Sequence, residues 1–272
     1  MALVAKMPTV TANGVTLSYE QSGGGHPVVM IMGSGAAGRV WSMHQVPALV
    51  RAGYRTVTFD NRGIAPSACP PGRYTLEDLV ADTRGLITGL GLGGCSIVGT
   101  SLGAMVAQEL VRTDPELVRC AVLLATRARA DAARAAQSRG EQALVEAGIT
   151  APPTFLASTM VLQMLGPGSL NRDEEVGMWL DVFEISGGGP SYGQAYVDTV
   201  SDRRALLREV TVPCRVIGFA DDLVSPPHLA AEVAEAIPDC DYVQIANCGH
   251  LGYLEQPAEV NTAIIEFLDK HR

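Results

Sequence analysis

Residues 95–110 read CSIVGTSLGAMVAQEL, a strand, a turn and a helix in immediate succession. This stretch begins with a strand-like run that ends at Val98, and it continues from Ala104 in a helical pattern. Between the two, residues 99–103 read Gly-Thr-Ser-Leu-Gly, and the flanking glycines allow a turn tight enough to present the hydroxyl of Ser101. Ser101 is therefore a candidate nucleophile. Because a chain with 29 glycines produces glycine pairs by chance, its partners must be identified independently.

Apolar runs typical of strands covered on both faces recur along the chain. They lie at 28–32, 56–59, 96–98 and 121–124, and two further strands are predicted at 215–219 and 241–245. Helical patterns lie at about 40–52, 76–90, 102–112, 229–236 and 257–270, and Thr75 with Asp78 forms a capping-box pattern. A hairpin, 9–11 and 15–20 joined at Asn13-Gly14, precedes them. The alternation predicts an α/β fold with a mostly parallel sheet.

The alternation is interrupted between residues 127 and 207. This segment is rich first in alanine and then in methionine, and its helical stretches are broken at 152–153, 166–168 and 187–190. We therefore predict one core formed by residues 1–126 and 208–272, with residues 127–207 inserted as a helical cap. No internal repeat is evident.

A serine hydroxyl needs a base, and the base needs an orienting group. Of the five histidines, His250 directly follows the last predicted strand, where the loops of a parallel sheet converge. His26, His44, His228 and His271 lie before a strand, on helices or in the tail. The acid should follow another strand at the same edge, which points to Asp222 or its neighbour Asp221.

Acyl transfer also needs two fixed donors for the oxyanion of its transition state. The backbone N–H of Leu102 would be the first. The second would be that of Ser34, in the glycine-rich segment 32–38, where glycines permit close approach of the backbone to a substrate.

Together these residues resemble the α/β-hydrolase superfamily over essentially the full length of the chain. The resemblance rests on the turn at Ser101, the order Ser101, Asp222, His250, the Asp-Asn-Arg-Gly turn at 60–63, and Gly249 before His250. Asp222 is preferred over Asp221, because its spacing to the prolines at 213 and 226 matches the acid loop of that family.

The resemblance implies an eight-stranded, mostly parallel sheet flanked by helices, with a helical cap. It also implies that Ser101 attacks a carbonyl carbon, His250 acts as base and then acid, and Asp222 orients His250, without metal or organic cofactor. Ser101 disfavours members that use an aspartate nucleophile. Many members have His-Gly where this chain has Met32-Gly33, and the Met-Gly version resembles some aromatic polyketide methylesterases.

The resemblance and the apolar bias predict an esterase, methylesterase or lactonase acting on a hydrophobic small molecule, with a role in secondary metabolism. Residues expected to line the pocket are Gly33, Gly35, Met160, Met164, Met178, Trp179, Phe183 and Leu251. Apolar residues at such spacings are more often ordinary core, so that alternative stays open.

Composition disfavours two classes of binding partner. The net charge of −9 disfavours nucleic acid and anionic membrane surfaces, which require concentrated positive charge. The chain shows no signal-peptide pattern and no membrane-length apolar run, so we expect a cytoplasmic protein, and a homodimer is one assembly that the sequence leaves open. The six cysteines form no C-x-x-C pair and are interpreted mostly as small buried hydrophobes.

Two other classes of function remain. Residues 33–38 spell G-x-G-x-x-G, and Asp60 ends the next predicted strand, as in a fingerprint for NAD(P). The preceding hairpin argues against that class, and it leaves Ser101, Asp222 and His250 unexplained. The hydrolase fold can also serve as a ligand receptor, a cyclase or a lyase.

Overall fold

The structure, a computed structural model, describes residues 7–186 and 193–272. Eight strands form one sheet: β1 (Thr9–Ala12), β2 (Val15–Gly23), β3 (His26–Ile31), β4 (Tyr54–Phe59), β5 (Cys95–Thr100), β6 (Val118–Leu124), β7 (Cys214–Phe219) and β8 (Cys240–Ile245). Their order is β1-β2-β4-β3-β5-β6-β7-β8. Pairs β1–β2 and β2–β4 are antiparallel and the other pairs are parallel, which confirms the predicted α/β fold.

From β3 onwards, helices separate consecutive strands. They are α1 (Gln45–Arg51), α2 (Leu76–Gly89), α3 (Leu102–Thr113), α4 (Ala132–Glu146), α5 (Pro153–Met164), α6 (Pro167–Leu170), α7 (Asp173–Ser186), α8 (Arg204–Leu207), α9 (Pro227–Ala236), α10 (Gly252–Glu255) and α11 (Pro257–Lys270). The predicted capping box is present at α2: Asp78 N–H donates to Thr75 Oγ1, and Thr75 N–H donates to the Asp78 carboxylate.

The central strands of the sheet are buried on both faces because they are apolar at successive positions. In β3, Val29 and Ile31 pack in a cluster with α2, α3 and α9, while Val28 and Met30 pack in a second cluster with α1 and α11. Strands buried in this way read as continuous apolar runs rather than as an alternating pattern.

The segment between β6 and β7 carries helices α4–α8 and no strand among its described residues. Its α5 and α7 enclose a separate apolar cluster, formed by Ala157, Val161, Leu165, Trp179 and Phe183. The expected break at 187–190 lies outside the described residues. The division into a core and a cap at residues 126 and 208 stays a prediction.

One helix differs from the expectation. Residues 40–52 do not form a single helix, because a 3₁₀ turn over Gly38–Met43 precedes α1. Pro47 explains the break, since a helix running through it would lose an N–H donor and meet its ring in the preceding turn, whereas proline is tolerated in the first turn of α1.

Among the cysteines, Cys69 is exposed and Cys240 half-buried, while the other four are buried.

Candidate active site

The turn between β5 and α3 holds Ser101 in a strained conformation, with φ 54° and ψ −120°. Non-glycine residues persist in such regions only when their surroundings enforce them. Here two glycines, Gly99 and Gly103, allow the backbone around Ser101 to pack closely enough to hold this conformation. A Cβ on Gly99 would lie 2.7 Å from the carbonyl carbon of Gly103, and a Cβ on Gly103 would lie 2.7 Å from the carbonyl oxygen of Met32. The pentapeptide therefore requires glycine at both ends for packing.

The three residues of the proposed catalytic chain lie within hydrogen-bond distance. His250 Nε2 is 3.0 Å from Ser101 Oγ, and His250 Nδ1 is 2.8 Å from Asp222 Oδ2. Because an ionised carboxylate only accepts, Nδ1 carries the proton and Nε2 accepts from the Ser101 hydroxyl. The side chains of His250 and Asp222 are 6% and 0% exposed, so bulk water does not compete for the bond between them.

The choice between the two neighbouring aspartates is made by geometry. The second oxygen of Asp222, Oδ1, accepts 2.7 Å bonds from the N–H groups of Val224 and Ser225. These bonds aim the first oxygen at His250. Asp221 is tied instead through its backbone, whose N–H donates to the Cys248 carbonyl at 3.0 Å.

The glycine-rich segment 33–38 lies against the serine. A Cβ on Gly33 would be 3.2 Å from Ser101 Cβ, so any side chain there would crowd the hydroxyl. Asp60 Oδ1 accepts the Gly38 N–H at 2.8 Å, and burial raises the pKa of that carboxyl. The acidic residue of the apparent dinucleotide fingerprint is therefore used to hold this loop in place.

Two backbone N–H groups are available beside the serine. Leu102 is the first residue of α3, where N–H groups have no partner within a helix. The N–H of Ser34 makes no backbone hydrogen bond within the described residues. That these two groups serve as oxyanion donors stays a prediction.

The expected pocket residues separate into two groups. Trp179 and Phe183 stack at 5.5 Å inside the α5–α7 cluster, and Met160, Met164 and Leu251 pack against it. Met178, by contrast, is 54% exposed and lies outside that cluster. Gly35 directly follows Ser34 within the glycine-rich segment 33–38. That these residues line a pocket stays a prediction.

Sequence reasoning missed Glu255, at the end of α10. Its Oε2 accepts the Gly249 N–H at 2.7 Å, and its Oε1 accepts the Gly166 N–H at 2.9 Å. One carboxylate thus joins the loop of His250 to the segment between α5 and α6. The only signal in the sequence is a glutamate shortly after the histidine, and this does not reveal the contact with residue 166.

No group of three histidine, cysteine, aspartate or glutamate side chains that could hold a metal ion occurs within residues 7–186 and 193–272. Within the same ranges, no helix is both long and apolar enough to cross a bilayer.

The fold and this arrangement of serine, histidine and aspartate define an enzyme of the α/β-hydrolase type. The chain belongs to the alpha/beta hydrolase family, whose sequence model matches residues 25–263.

Similar proteins carry several activity names. The chain is 44% identical over 256 residues to the Mycobacterium tuberculosis protein named "Putative non-heme bromoperoxidase BpoC", covering 93% of this chain and 97% of that one. The crystal structure of that protein has a TM-score of 0.89, covering 94% of this chain and 96% of that one. A thermophilic esterase from Thermogutta terrifontis is 28% identical with a TM-score of 0.82, covering 98% and 100%. The enol-lactonase from Burkholderia xenovorans is 25% identical with a TM-score of 0.79, covering 96% and 100%.

Proposed function

We propose that this protein is a serine hydrolase that cleaves an ester, thioester or lactone of a hydrophobic small molecule through an acyl-enzyme. The observation that carries the proposal is the continuous chain from Ser101 Oγ to His250 at 3.0 Å and from His250 to Asp222 at 2.8 Å. It provides a nucleophile, a base and an orienting carboxylate at the same edge of the sheet.

In the first half-reaction, Ser101 Oγ attacks the carbonyl carbon while His250 Nε2 takes the hydroxyl proton. The carbonyl oxygen becomes an oxyanion, stabilised by the N–H groups of Ser34 and Leu102. His250 then gives its proton to the leaving alcohol or thiol as the bond between the carbonyl carbon and the leaving group breaks. Asp222 stays ionised and stabilises the imidazolium.

In the second half-reaction, water attacks the acyl-Ser101 ester and His250 takes one of its protons. Collapse of the second oxyanion releases the carboxylic acid, and the proton returns to Ser101 Oγ. For a lactone the leaving alcohol stays attached to the acyl group, so the product is a single hydroxy acid. The cycle consumes one water and leaves the enzyme unchanged.

The substrate class is supported by two observations. The solved relatives with this fold include an esterase and an enol-lactonase. The apolar cluster of α5 and α7 continues through Leu251 and Leu254 towards the loop that carries His250, which favours an apolar acyl or alkyl group over a charged one.

The test is hydrolysis of p-nitrophenyl esters of increasing acyl length, together with a thioester and a lactone panel, by the wild-type protein and Ser101→Ala. We expect activity in the wild type and a loss of several orders of magnitude in kcat in the variant. Mass spectrometry should locate the trapped acyl group on Ser101. Equal activity in both proteins would exclude Ser101 as the nucleophile, and ligand binding without turnover would favour a receptor.

The relative named for bromide oxidation supports a second reaction of the same acyl-enzyme. If hydrogen peroxide replaces water in the second half-reaction, the product is a peracid, which oxidises bromide with a proton to hypobromous acid and returns the carboxylic acid. This second reaction is tested by supplying bromide and hydrogen peroxide in acetate buffer and measuring the formation of a brominated product. We expect Ser101→Ala to abolish this reaction together with ester hydrolysis.

A further inference from the structure

Gln194 reaches the loop that carries the second oxyanion donor. It lies at the start of a 3₁₀ turn (Gln194–Tyr196) and is 3% exposed. Its Oε1 accepts the Gly35 N–H at 2.9 Å and the Ser34 hydroxyl at 3.3 Å. Its Nε2 donates to the Arg62 carbonyl at 2.9 Å. One buried amide thus contacts two consecutive residues of the glycine-rich segment 33–38, which we call the oxyanion loop, and the turn at 60–63.

The framework that holds Gln194 is itself fixed. The guanidinium of Arg62 makes two hydrogen bonds to the Asp82 carboxylate, at 2.6 and 2.5 Å, and lies 5.6 Å from the centre of the Tyr74 ring. The Tyr74 N–H donates to the Gly193 carbonyl at 3.0 Å, directly before Gln194. The amide of Gln194 is therefore held from both sides, and its oxygen has a defined position.

The oxyanion loop needs such support. Gly35 has φ 73°, and Ser34 stands between it and Gly33. A glycine-rich segment samples many backbone conformations unless side chains restrict it. Donors contribute to an oxyanion site only when they are held in place before the charge develops. The bonds from Gln194 restrict the peptide planes on one side of Ser34, and the packing of Gly33 against Ser101 restricts the other.

We infer that Gln194 is a positioning residue that fixes the Ser34–Gly35 segment so that the Ser34 N–H points at the developing oxyanion. The inference rests on the proposed function and names a further residue required for it. Gln194 acts through the loop and does not touch the substrate. Because it comes from the segment predicted to be the cap, it also makes the geometry of the donor depend on how that segment sits on the sheet.

The test uses Gln194→Met, which keeps the length of the side chain and removes all three hydrogen bonds of the amide. Rates are measured on the best p-nitrophenyl ester of the wild type and divided by the number of sites titrated with a fluorophosphonate, so that unfolded protein does not count. The second measurement is the affinity of a trifluoromethyl ketone with the same alkyl chain, whose adduct with a serine carries an oxyanion.

We expect kcat per site to fall by ~10- to 100-fold, below the loss seen when an oxyanion donor is removed outright, with KM within about threefold. The affinity for the ketone should fall by the same factor as kcat/KM. A role in stability alone would lower the melting temperature without moving either quantity.

Gln108→Leu is the matched control. This glutamine is also fully buried, and its amide donates to Thr126 Oγ1 at 2.7 Å and to the Arg127 carbonyl at 3.4 Å, at the other end of the predicted cap. We expect it to lower the melting temperature and to leave kcat per site and ketone affinity near the wild-type values.

If Gln194→Met gives no folded protein, Gln194→Glu takes its place. It keeps acceptor oxygens for Gly35 but removes the donor to Arg62 and adds charge beside the oxyanion, so kcat per site should again fall. Either folded variant with wild-type kcat and ketone affinity would overturn the inference alone, provided that the wild type is active and Ser101→Ala is not. An inactive wild type, or an active Ser101→Ala, would overturn the proposed function and this inference together.

Discussion

The backbone N–H of Gly166, between α5 and α6, donates a 2.9 Å hydrogen bond to the carboxylate of Glu255. The same carboxylate accepts from Gly249, next to His250. The backbones of Gly166 and Gly249 pack closely against each other: a Cβ on Gly249 would lie only 2.7 Å from the Gly166 nitrogen. The loop of the candidate base and the segment predicted to be the cap are therefore held together by backbone packing and one side chain.

Glu255→Gln should weaken this junction. The amide replaces one acceptor by a donor, so either Gly166 or Gly249 loses its bond, and a hydrogen bond to a charged group contributes about 1.5–3 kcal/mol. We expect a lower free energy of unfolding and a lower kcat/KM, measured by urea denaturation and ester hydrolysis. Glu259→Gln, at an exposed position of α11, is the control and should change neither.

Asp222→Asn and Asp221→Asn separate the two neighbouring acids. Asparagine at 222 is neutral, so it no longer stabilises the imidazolium of His250, even where its oxygen accepts from Nδ1–H. We therefore expect kcat to fall by ~10³- to 10⁴-fold, as for other triads. Asparagine at 221 should reduce kcat by less than about threefold, since the contact to Cys248 is made by its backbone. A large loss at 221 with none at 222 would contradict the assignment.

Gly103→Ala should prevent formation of the native turn. The added Cβ would lie 2.7 Å from backbone atoms of Ile31 and Met32, neither of which can move without shifting β3. Gly177→Ala, in α7, meets nothing within 4 Å and should stabilise the protein by ~0.5–1 kcal/mol, because alanine is the better helix former. Thermal denaturation of both variants measures the contrast.

Glu109, on α3, should stabilise the fold in a pH-dependent way. Burial raises its pKa, but the hydrogen bond from Arg112 and the charge of Arg203 outweigh burial, so that the pKa lies below its usual value of 4.5. A lowered folded-state pKa gives stability that is present above the unfolded pKa and is lost as the pH falls through the folded pKa.

The measurement is the difference in free energy of unfolding between the wild type and Glu109→Gln. With a side chain only 9% exposed, we expect about 2–4 kcal/mol near pH 7, between the values for exposed and buried pairs. The difference should shrink as the pH falls below about 4.5. A difference that is constant with pH would show that the charge of Glu109 contributes nothing.

Thiol labelling should distinguish Cys69 from the other five cysteines. Cys69 is exposed, whereas burial raises the pKa of Cys95, Cys240 and Cys248 to about 12 and thereby suppresses the reactive thiolate. With Ellman's reagent at pH 8, we expect one rapidly reacting thiol in the native protein and six in guanidinium. Cys69→Ser should remove the rapid phase.

The sequence predicted the elements that depend on local pattern. The apolar runs identified the central parallel strands because a strand buried on both faces has no polar alternation, and Thr75 with Asp78 identified the start of α2. The helix expected at 40–52 was wrong at its beginning because the pattern of apolar residues ignored Pro47. Apolar spacing could not separate Met178, which is exposed, from Trp179, which is buried.

The sequence predicted candidate residues with suitable chemistry after three different strands, β5, β7 and β8, and the carboxyl ends of parallel strands meet at the same edge. It favoured Asp222 over Asp221 only through the resemblance in proline spacing. Both acids occupy the same loop, and the contact with His250 depends on the turn closed by Val224 and Ser225, which directs one carboxylate to the imidazole. The sequence could not reveal Gln194 or Glu255, whose partners lie far away in the chain. Hydrogen bonds between distant segments depend on tertiary packing, which leaves no local pattern in the sequence.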